Sequence, residues 1–467
     1  MGLGSKLERA DHFEAYVGEV TSVIGHADRA GPLRDYCAGL LATDGRRSVE
    51  PMAAVTGPGH VSAQHQSLLH FVGNSPWSDE RVLGKVQELV VPSITRREPI
   101  QAWIIDDTGI PKKGEHSVGV HHQYCGQLGK QANCQVAVTL SISNHHGSLP
   151  IAYRMYLPKE WIDDEERREK AHVPPDITFK TKPQIALEQI RAAMLAGVSP
   201  GVVLGDSGYG VNSTLRLTLM EWGLTYIVGI TSALLVRPVR ADDPETPRVN
   251  VKKLALSLPK RAWRTVVWRE GTNVKLRSRF ARVRVRTAPS RGKAFAEETL
   301  LIEWPKDEAE PTKYWLANVD QNMLLRRLVD LAKLRWRIER DYEELKQEAG
   351  LGDYEGRGWR GFHHHATLAI AAYGFLVSKR ETIPPQDHVP PPQSKISPSQ
   401  WLLTPRRTAD PSAAPCPNLD RHDLSRTGPL RLRTDFSNAR IASAACRKDR
   451  DGVYDTVVLA SSASSRA

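Results

Sequence analysis

Three carboxylates, far apart in the chain, stand where side chains can do metal chemistry. Asp106 ends the apolar run of "AWIIDDTG", Asp206 ends that of "GVVLGDSGYG", and Glu339 lies in "RWRIERDYEELKQEAGL". The first two segments are short apolar runs stopped by acids and Gly, which predicts buried strands. Carboxylate oxygens are hard ligands suited to Mg2+. If the two strands are neighbours, Asp106 and Asp206 face each other across a metal site and Glu339 is the third ligand. Two metals held this way activate an attacking water or hydroxyl and stabilise the leaving oxygen of an in-line phosphoryl transfer. Mg2+ is the expected ion, with Mn2+ able to substitute.

Competing readings exist for both aspartates. Asp107 adjoins Asp106, and neighbours on a strand point to opposite faces, so one of the pair reaches the site. Asp106 is favoured. Asp206 in "GDSGYG" also reads as an ordinary turn aspartate.

The segment around Glu339 predicts a helix. Arg335, Glu339, Tyr342 and Lys346 stand at offsets of four, seven and eleven, on one side of a 3.6-residue helix. Leu331, Leu334, Ile338, Leu345 and Ala349 form an apolar stripe beside them. The plain reading is a solvated row of i,i+4 pairs. With the two aspartates as partners, Glu339 instead faces the metals, and Arg335 and Lys346 neutralise phosphates beside the scissile bond.

Other motifs carry less. "GDSG" resembles the surroundings of a protease nucleophile, but Tyr209 stands where the next Gly is needed, and "GxSxG" fails at the same residue. "IIDDTG" lacks the second Asp of an aspartyl phosphatase, since Thr108 is there. The Cys spacing in "HHQYCGQLGKQANC" fits no standard zinc motif. "HHH" at 363–365 opens a helix and is read as DNA-facing or solvated.

The elements that must position these residues follow from periodicity. Residues 1–95 read as helical: Phe13, Tyr16, Val17, Val20 and Ile24 recur at helical spacing, and Ser78 is an N-cap before "DERVLGKVQELV". From about 96 to 231 strands dominate, as a three-stranded meander and then alternation: "AWIIDDTG", "NCQVAVTLSISN", "SLPIAYRMYLP", a helix opened by Pro183, "GVVLGDSGYG", another helix and "LTYIVGIT". Residues 232–312 form a β-rich stretch with the strands "RTVVWRE", "RSRFARVRVRTA" and "ETLLIEW". Residues 277–293 hold seven Arg or Lys and no acid. Arg282, Arg284 and Arg286 alternate with Val283 and Val285, giving one basic face suited to phosphates. Residues 313–383 carry the Glu339 helix and the apolar "ATLAIAAYGFLV". From 384 to 467 the chain is Pro-rich and reads as linker or disorder.

The bulk numbers agree with a DNA-handling globular protein. The 467 residues are 40% hydrophobic and 25% charged, with a net charge of +11. The pI of about 9.4 favours a polyanionic partner, most often nucleic acid. Five scattered cysteines without a CxxC pair argue for a reducing cytosol. No secretory signal, myristoylation pattern or membrane-length apolar run is visible.

The segments "GRRSVEPMAA", "HQSLLHFVGNSPW", "AWIIDDTGIPKKGEHSVGVHHQYCGQLGKQANCQVAV", "SLPIAYRMYLP", "GVVLGDSGYG", "LTYIVGI", "RWRIERDYEELKQEAGLGDYEGRGWRGFHHH" and "AAYGFLV" resemble bacterial insertion-sequence transposases of the DDE superfamily, the insertion sequence 701 family. They cover roughly residues 10–380. The resemblance implies an α/β (α+β) fold: an RNase H-like catalytic core interrupted by a β-rich insertion and preceded by an N-terminal helical, DNA-binding region. It makes Asp106, Asp206 and Glu339 the catalytic triad. A related Tyr, Arg, Glu, Lys signature is matched by Arg335, Glu339 and Lys346, with Ala332 in place of its Tyr. The implied partners are double-stranded DNA, as terminal inverted repeats and target, and a second copy of the chain on that DNA. The expected setting is the cytoplasm, at the nucleoid, with no membrane. Two rival expectations stand beside this one: a transposase-derived DNA-binding protein that no longer cuts, and an RNase H-like nuclease without strand transfer. The resemblance stops near residue 405, and a frameshifted or decayed ending is the working hypothesis; a family-like ending missing from the gene's other frames would sink it.

Overall fold

The computed structural model describes residues 3–239, 247–270, 275–287 and 297–382. The predicted helical start is present as α1 (Leu3–Thr21), α2 (Ala30–Ala42), α3 (Val49–Thr56), α4 (Val61–Gly73) and α5 (Asp79–Thr95). Phe13, Val17, Val20 and Ile24 are buried, as their spacing requires. Ser78 caps α5: its Oγ accepts the Arg81 amide at 3.3 Å, and Asp79 and Glu80 occupy the first turn.

A long sheet follows. Its strands are β1 (Ala102–Pro111), β2 (His121–Cys125), β3 (Lys130–Ser143), β4 (Ser148–Tyr156), β5 (Val202–Gly205), β6 (Tyr226–Ile230), β7 (Leu235–Pro238), β8 (Val249–Asn250), β9 (Arg264–Glu270), β10 (Lys275–Thr287), β11 (Glu298–Trp304) and β12 (Lys313–Ala317). Between them lie α6 (Lys159–Ile162), α7 (Glu165–Lys170), α8 (Lys182–Leu195), α9 (Ser207–Gly210), α10 (Ser213–Glu221) and α11 (Val251–Ser257). After them come α12 (Leu325–Lys333), α13 (Trp336–Gln347) and α14 (Trp359–Thr382). The sheet runs β2-β3-β1-β5-β6-β12-β11-β10-β7-β8, with β4 beside β3 and β9 beside β10. β1, β5 and β6 are parallel, and their flanks are antiparallel, so the fold is mixed α/β.

Local chemistry accounts for these elements. Ala102 to Ile105 are buried without alternation, as in a strand covered on both faces. The β3–β4 hairpin turns through "NHHG", where the Asn144 amide donates to the Gly147 carbonyl at 3.0 Å. Thr181 and Gln184 form a capping box at the start of α8, with Pro183 in the first turn.

Two strands depart from the expected order. The stretch "HHQYCGQLGKQANC" is β2, a turn and the start of β3, with Cys125 and Cys134 buried beside Val136. β12 pairs with both β6 and β11. It therefore joins the strands of the basic stretch to the central sheet as one continuous surface. A second, smaller core lies under that stretch and includes Val236, Val251, Val285, Leu300 and Leu316.

α14 is the hub for the N-terminal helices. The Tyr16 hydroxyl donates to the Ala371 carbonyl at 2.9 Å, and Phe13 meets Phe375 edge-on at 5.2 Å. Helices α1–α5, the sheet and α14 share one hydrophobic core. The expectation for His363–His365 is overturned here, because all three rings turn into that core. His364 stacks on Trp77 at 3.6 Å and faces the carbonyls of Val72 and Trp77. His365 bridges the Tyr36 hydroxyl and the Gly350 carbonyl, both at 2.9 Å. The Met155 amide donates to Nε2 of His363 at 3.2 Å. Burial holds their pKa values down to about 4, 3 and 4 in chain order. "ATLAIAAYGFLV" lies within α14, and no helix among the described residues is long and apolar enough to cross a membrane. The expected Pro-rich tail, 384–467, lies outside the described residues.

Candidate active site

The central strands bring two of the acids close. β1 pairs in parallel with β5 as Ala102↔Val202, Trp103↔Val203 and Ile104↔Leu204. The ladder ends there, and Asp206 follows the end of β5 at Gly205, close enough for its charge to act on Asp106. Asp106 does not end its strand as expected. β1 continues to Pro111 against β3 and stops pairing with β5 only after Ile104. The edge freed there is where the cleft opens.

Asp206 serves as an N-cap, since its Oδ1 accepts the amides of Gly208 at 2.8 Å and Tyr209 at 3.4 Å. The turn it starts is pressed on β6: a Cβ on Gly210 would lie 1.9 Å from the Gly229 carbonyl oxygen. Only glycine allows that approach. Asp206 therefore fills its turn role and still stands in the cleft.

The third acid arrives on α13. Arg335 Nη2 donates to Asp106 Oδ2 at 3.1 Å, and its Nη1 donates to Glu339 Oε1 at 3.2 Å. One guanidinium thus spans the strand acid and the helix acid. The Asp106 side chain is 11% exposed and that of Glu339 69%, so the helix acid is free to rotate. The row that raised the question of a solvated face instead docks on the sheet. Tyr342 is buried and hydrogen-bonded to Thr139, the β3 residue opposite Asp106. Lys346 Nζ donates to the Gly109 carbonyl of β1 at 3.0 Å. It is turned inward rather than held out toward a phosphate. Leu331, Leu334, Ile338, Leu345 and Ala349 are all buried.

The two adjacent aspartates have separate partners. Asp107 Oδ2 takes Lys182 Nζ at 2.8 Å, and the Tyr209 hydroxyl donates to its Oδ1 at 3.4 Å. The cation beside Asp106 is Arg335. Burial drives its carboxyl up to about 7; Arg335 opposes this, and the charges of Asp206 and Asp107 add to it. An open cleft of about 370 Å³ lies alongside, lined among others by Asp206, Tyr314, Trp315, Lys333, Arg335 and Glu339.

Among the described residues, no three His, Cys, Asp or Glu side chains are close enough together to hold a metal as a group. Asp106 and Asp206 nevertheless fit one: both are oxygen donors, and the buried Asp106 carboxylate gains from a positive neighbour. Glu339 must leave Arg335 to join them.

The three basic-stretch residues lie apart from this cleft's lining. Arg282 Nη1 donates to the Met323 carbonyl at 2.6 Å. Arg284 donates to Thr299 Oγ1 at 2.9 Å, and Arg286 to Glu297 Oε1 at 2.7 Å. Residues 277–293 hold no acid, but the fold brings Glu297 beside Arg286. Sequence reasoning missed Lys182, Tyr209 and the buried Arg216, whose partners lie on distant strands. Only Lys182 carried a signal, as a cation at the start of a predicted helix.

Residues 19–275 match the family described as DDE superfamily endonuclease, a stretch that includes Asp106 and Asp206. Residues 179–375 match the family described as Transposase DDE domain, which includes Asp206 and Glu339. The chain belongs to the DDE superfamily of endonucleases. The likeness to insertion sequence 701 also holds. Over 195 residues the chain is 31% identical to a Microchaete diplosiphon protein named "Probable transposase for insertion sequence element IS701". The match covers 42% of this chain and 47% of that relative, so the chain spans about half the length of the curated protein it matches.

Proposed function

We propose that this chain is a transposase that cuts the ends of an insertion sequence and transfers the 3′-hydroxyl ends to target DNA. The observation that carries the proposal is one guanidinium, Arg335, bridging Asp106 and Glu339, with Asp206 near enough for its charge to act on Arg335 and Asp106. Asp106 and Asp206 would bridge two Mg2+ ions, or Mn2+, and Glu339 would complete the set. When bound, the ions would supply an activated attacking oxygen and charge stabilisation for the leaving one. The protein's own residues do the rest. Asp206, fixed by its turn amides, holds one oxygen donor still. Arg335, released from Glu339, offers a two-armed donor to a backbone phosphate at the cleft mouth. Lys346 holds α13 on β1 and would add positive potential near the phosphates.

The name of the relative, the positive net charge and the order strand acid, strand acid, helix acid support an RNase H-like core as the frame. The N-terminal helices and the face bearing Arg282, Arg284 and Arg286 are the proposed end-recognition surfaces, with two copies of the chain on the paired ends, at the nucleoid in the cytoplasm. An oligonucleotide carrying the element's terminal repeat tests the reading. Wild type with Mg2+ should nick it, and Asp206→Asn should bind the same DNA while losing nicking. Wild-type nicking in that variant would refute the assignment, and binding without nicking by wild type would favour a non-catalytic binder. Equal cutting of branched DNA without terminal repeats would favour a nuclease that does not transfer strands.

A further inference from the structure

The basic β-rich stretch reaches the acid cleft through one buried side chain. Arg216 on α10 is 2% exposed, and Glu298 on β11 is 0% exposed. Arg216 Nε lies 3.3 Å from Glu298 Oε1. The Tyr226 hydroxyl donates to the same carboxylate at 2.6 Å, and Thr287 Oγ1 donates to its other oxygen at 2.9 Å. Glu298 thus gathers hydroxyl donors from β6 and β10 and the charge of Arg216 on α10, whose Nη2 donates to Thr287 Oγ1 at 3.4 Å. The other end of the Arg216 fork donates through Nη1 to the Gly210 carbonyl. Gly210 closes the one-turn helix that Asp206 caps, and its own amide donates to the Asp206 carbonyl at 2.9 Å. On the opposite side that turn rests against Gly229 of β6.

We propose that Arg216 and Glu298 are positioning residues for Asp206: the β-rich stretch supplies the buried carboxylate that aims Arg216, and Arg216 clamps the turn carrying the acid. The physical reason is the planar guanidinium, which serves two acceptors in a fixed fork where an ammonium is a single point charge. A buried carboxylate is what holds that fork in one orientation, because neither charge can turn to water. This stretch is then part of the cleft's frame, beyond any contact it makes with DNA. The inference rests on the reading of Asp206 as a metal ligand, and it predicts that disturbing the clamp weakens a metal held at the acids although no clamp residue touches it.

The full chain is used. Arg216→Lys keeps the buried charge pair but cannot serve both Glu298 and Gly210. Arg216→Met with Glu298→Leu removes both charges together, so no buried charge is stranded. Mn2+ affinity without DNA is read by electron paramagnetic resonance, and exchange of the Gly208 and Tyr209 amides, which Asp206 caps, by mass spectrometry. Both variants should stay folded, the double variant melting lower because Tyr226, Thr287 and Gly210 lose buried partners, and both should bind Mn2+ about 10- to 100-fold more weakly and exchange those amides faster. Wild-type affinity and exchange in a folded variant would overturn the inference, and so would failure of both variants to fold, which would make the pair architectural. Asp206→Asn separates the two levels. If wild type binds no Mn2+ that this variant loses, the metal reading fails, and amide exchange alone decides the clamp.

Discussion

The acid cleft and the histidine run of α14 both gather titratable side chains, and they are opposite in kind. Beside the cleft, Arg335 spans Asp106 and Glu339, and the charge of Asp206 acts on both Arg335 and Asp106. In α14, the hydrogen-bond partners of His363, His364 and His365 are backbone groups or a hydroxyl, and the one nearby carboxylate given for these rings, Asp79, stands 3.9 Å from His364. Burial acts on both in the same sense, favouring the neutral form. It raises the Asp106 carboxyl to about 7 and lowers the His364 ring to about 3. The difference lies in the partners. A cluster whose partners are mobile charges can take up an ion or substrate; one whose partners are fixed neutral groups is architecture.

The comparison breaks most sharply at Asp106. Asp106→Asn should reduce end cleavage by more than about a thousandfold, as loss of a central electrostatic contact does. Its melting temperature at pH 8 should hold or rise, because the surroundings already favour a neutral group there. A large loss of stability would make Asp106 architectural after all.

The histidines should behave in reverse. His365→Ala leaves the Tyr36 hydroxyl and the Gly350 carbonyl without a buried partner and opens a cavity. The expected cost is about 3 kcal/mol in denaturant unfolding. Cleavage per folded molecule should be unchanged, and a selective loss of catalysis would join the two regions into one site.

Acid should sharpen the contrast further. The folded rings titrate near 3 to 4 and the unfolded rings near 6.5, so between those values the unfolded chain binds more protons. Stability is therefore full above about pH 6.5 and falls as pH drops toward 4, by roughly 1.4 kcal/mol per ring for each pH unit crossed. Asp106 works against this, since it takes up its proton in the folded state near 7. Melting curves across this range should show a shallower fall for His365→Gln than for wild type. Equal slopes would mean that the ring is charged in the fold.

The smallest effect belongs to the basic face. Arg286 is 43% exposed and paired with Glu297, so Arg286→Gln should change stability by less than about 0.5 kcal/mol. If the face meets phosphates, the salt dependence of DNA binding should lessen by about one counterion. An unchanged slope would remove Arg286 from the interface.

Much of this arrangement was legible before the fold. Helical spacing from Phe13 to Val20, the cap at Ser78, the hairpin at "NHHG" and the apolar stripe beside Glu339 are local patterns that the structure keeps, while Ile24 is buried in the turn after α1. The row Arg335, Glu339, Tyr342, Lys346 was legible as one side of a helix. Its partners were not, because they lie on β1 and β3, more than two hundred residues away in the chain. β12 escaped notice because five residues between polar loops give too short a period to read.

The amino-acid order by itself determined the long periodic helices and strands and which side chains have oxygen-donor or cationic chemistry, since both depend on neighbours within a few residues. Only the tertiary structure decided that Asp206 lies near Asp106, that Lys346 turns inward, that His364 and His365 are buried, and that Glu298 pairs with Arg216. Those outcomes depend on pairing and burial between distant segments, where each group's charge state and orientation follow from what is packed against it.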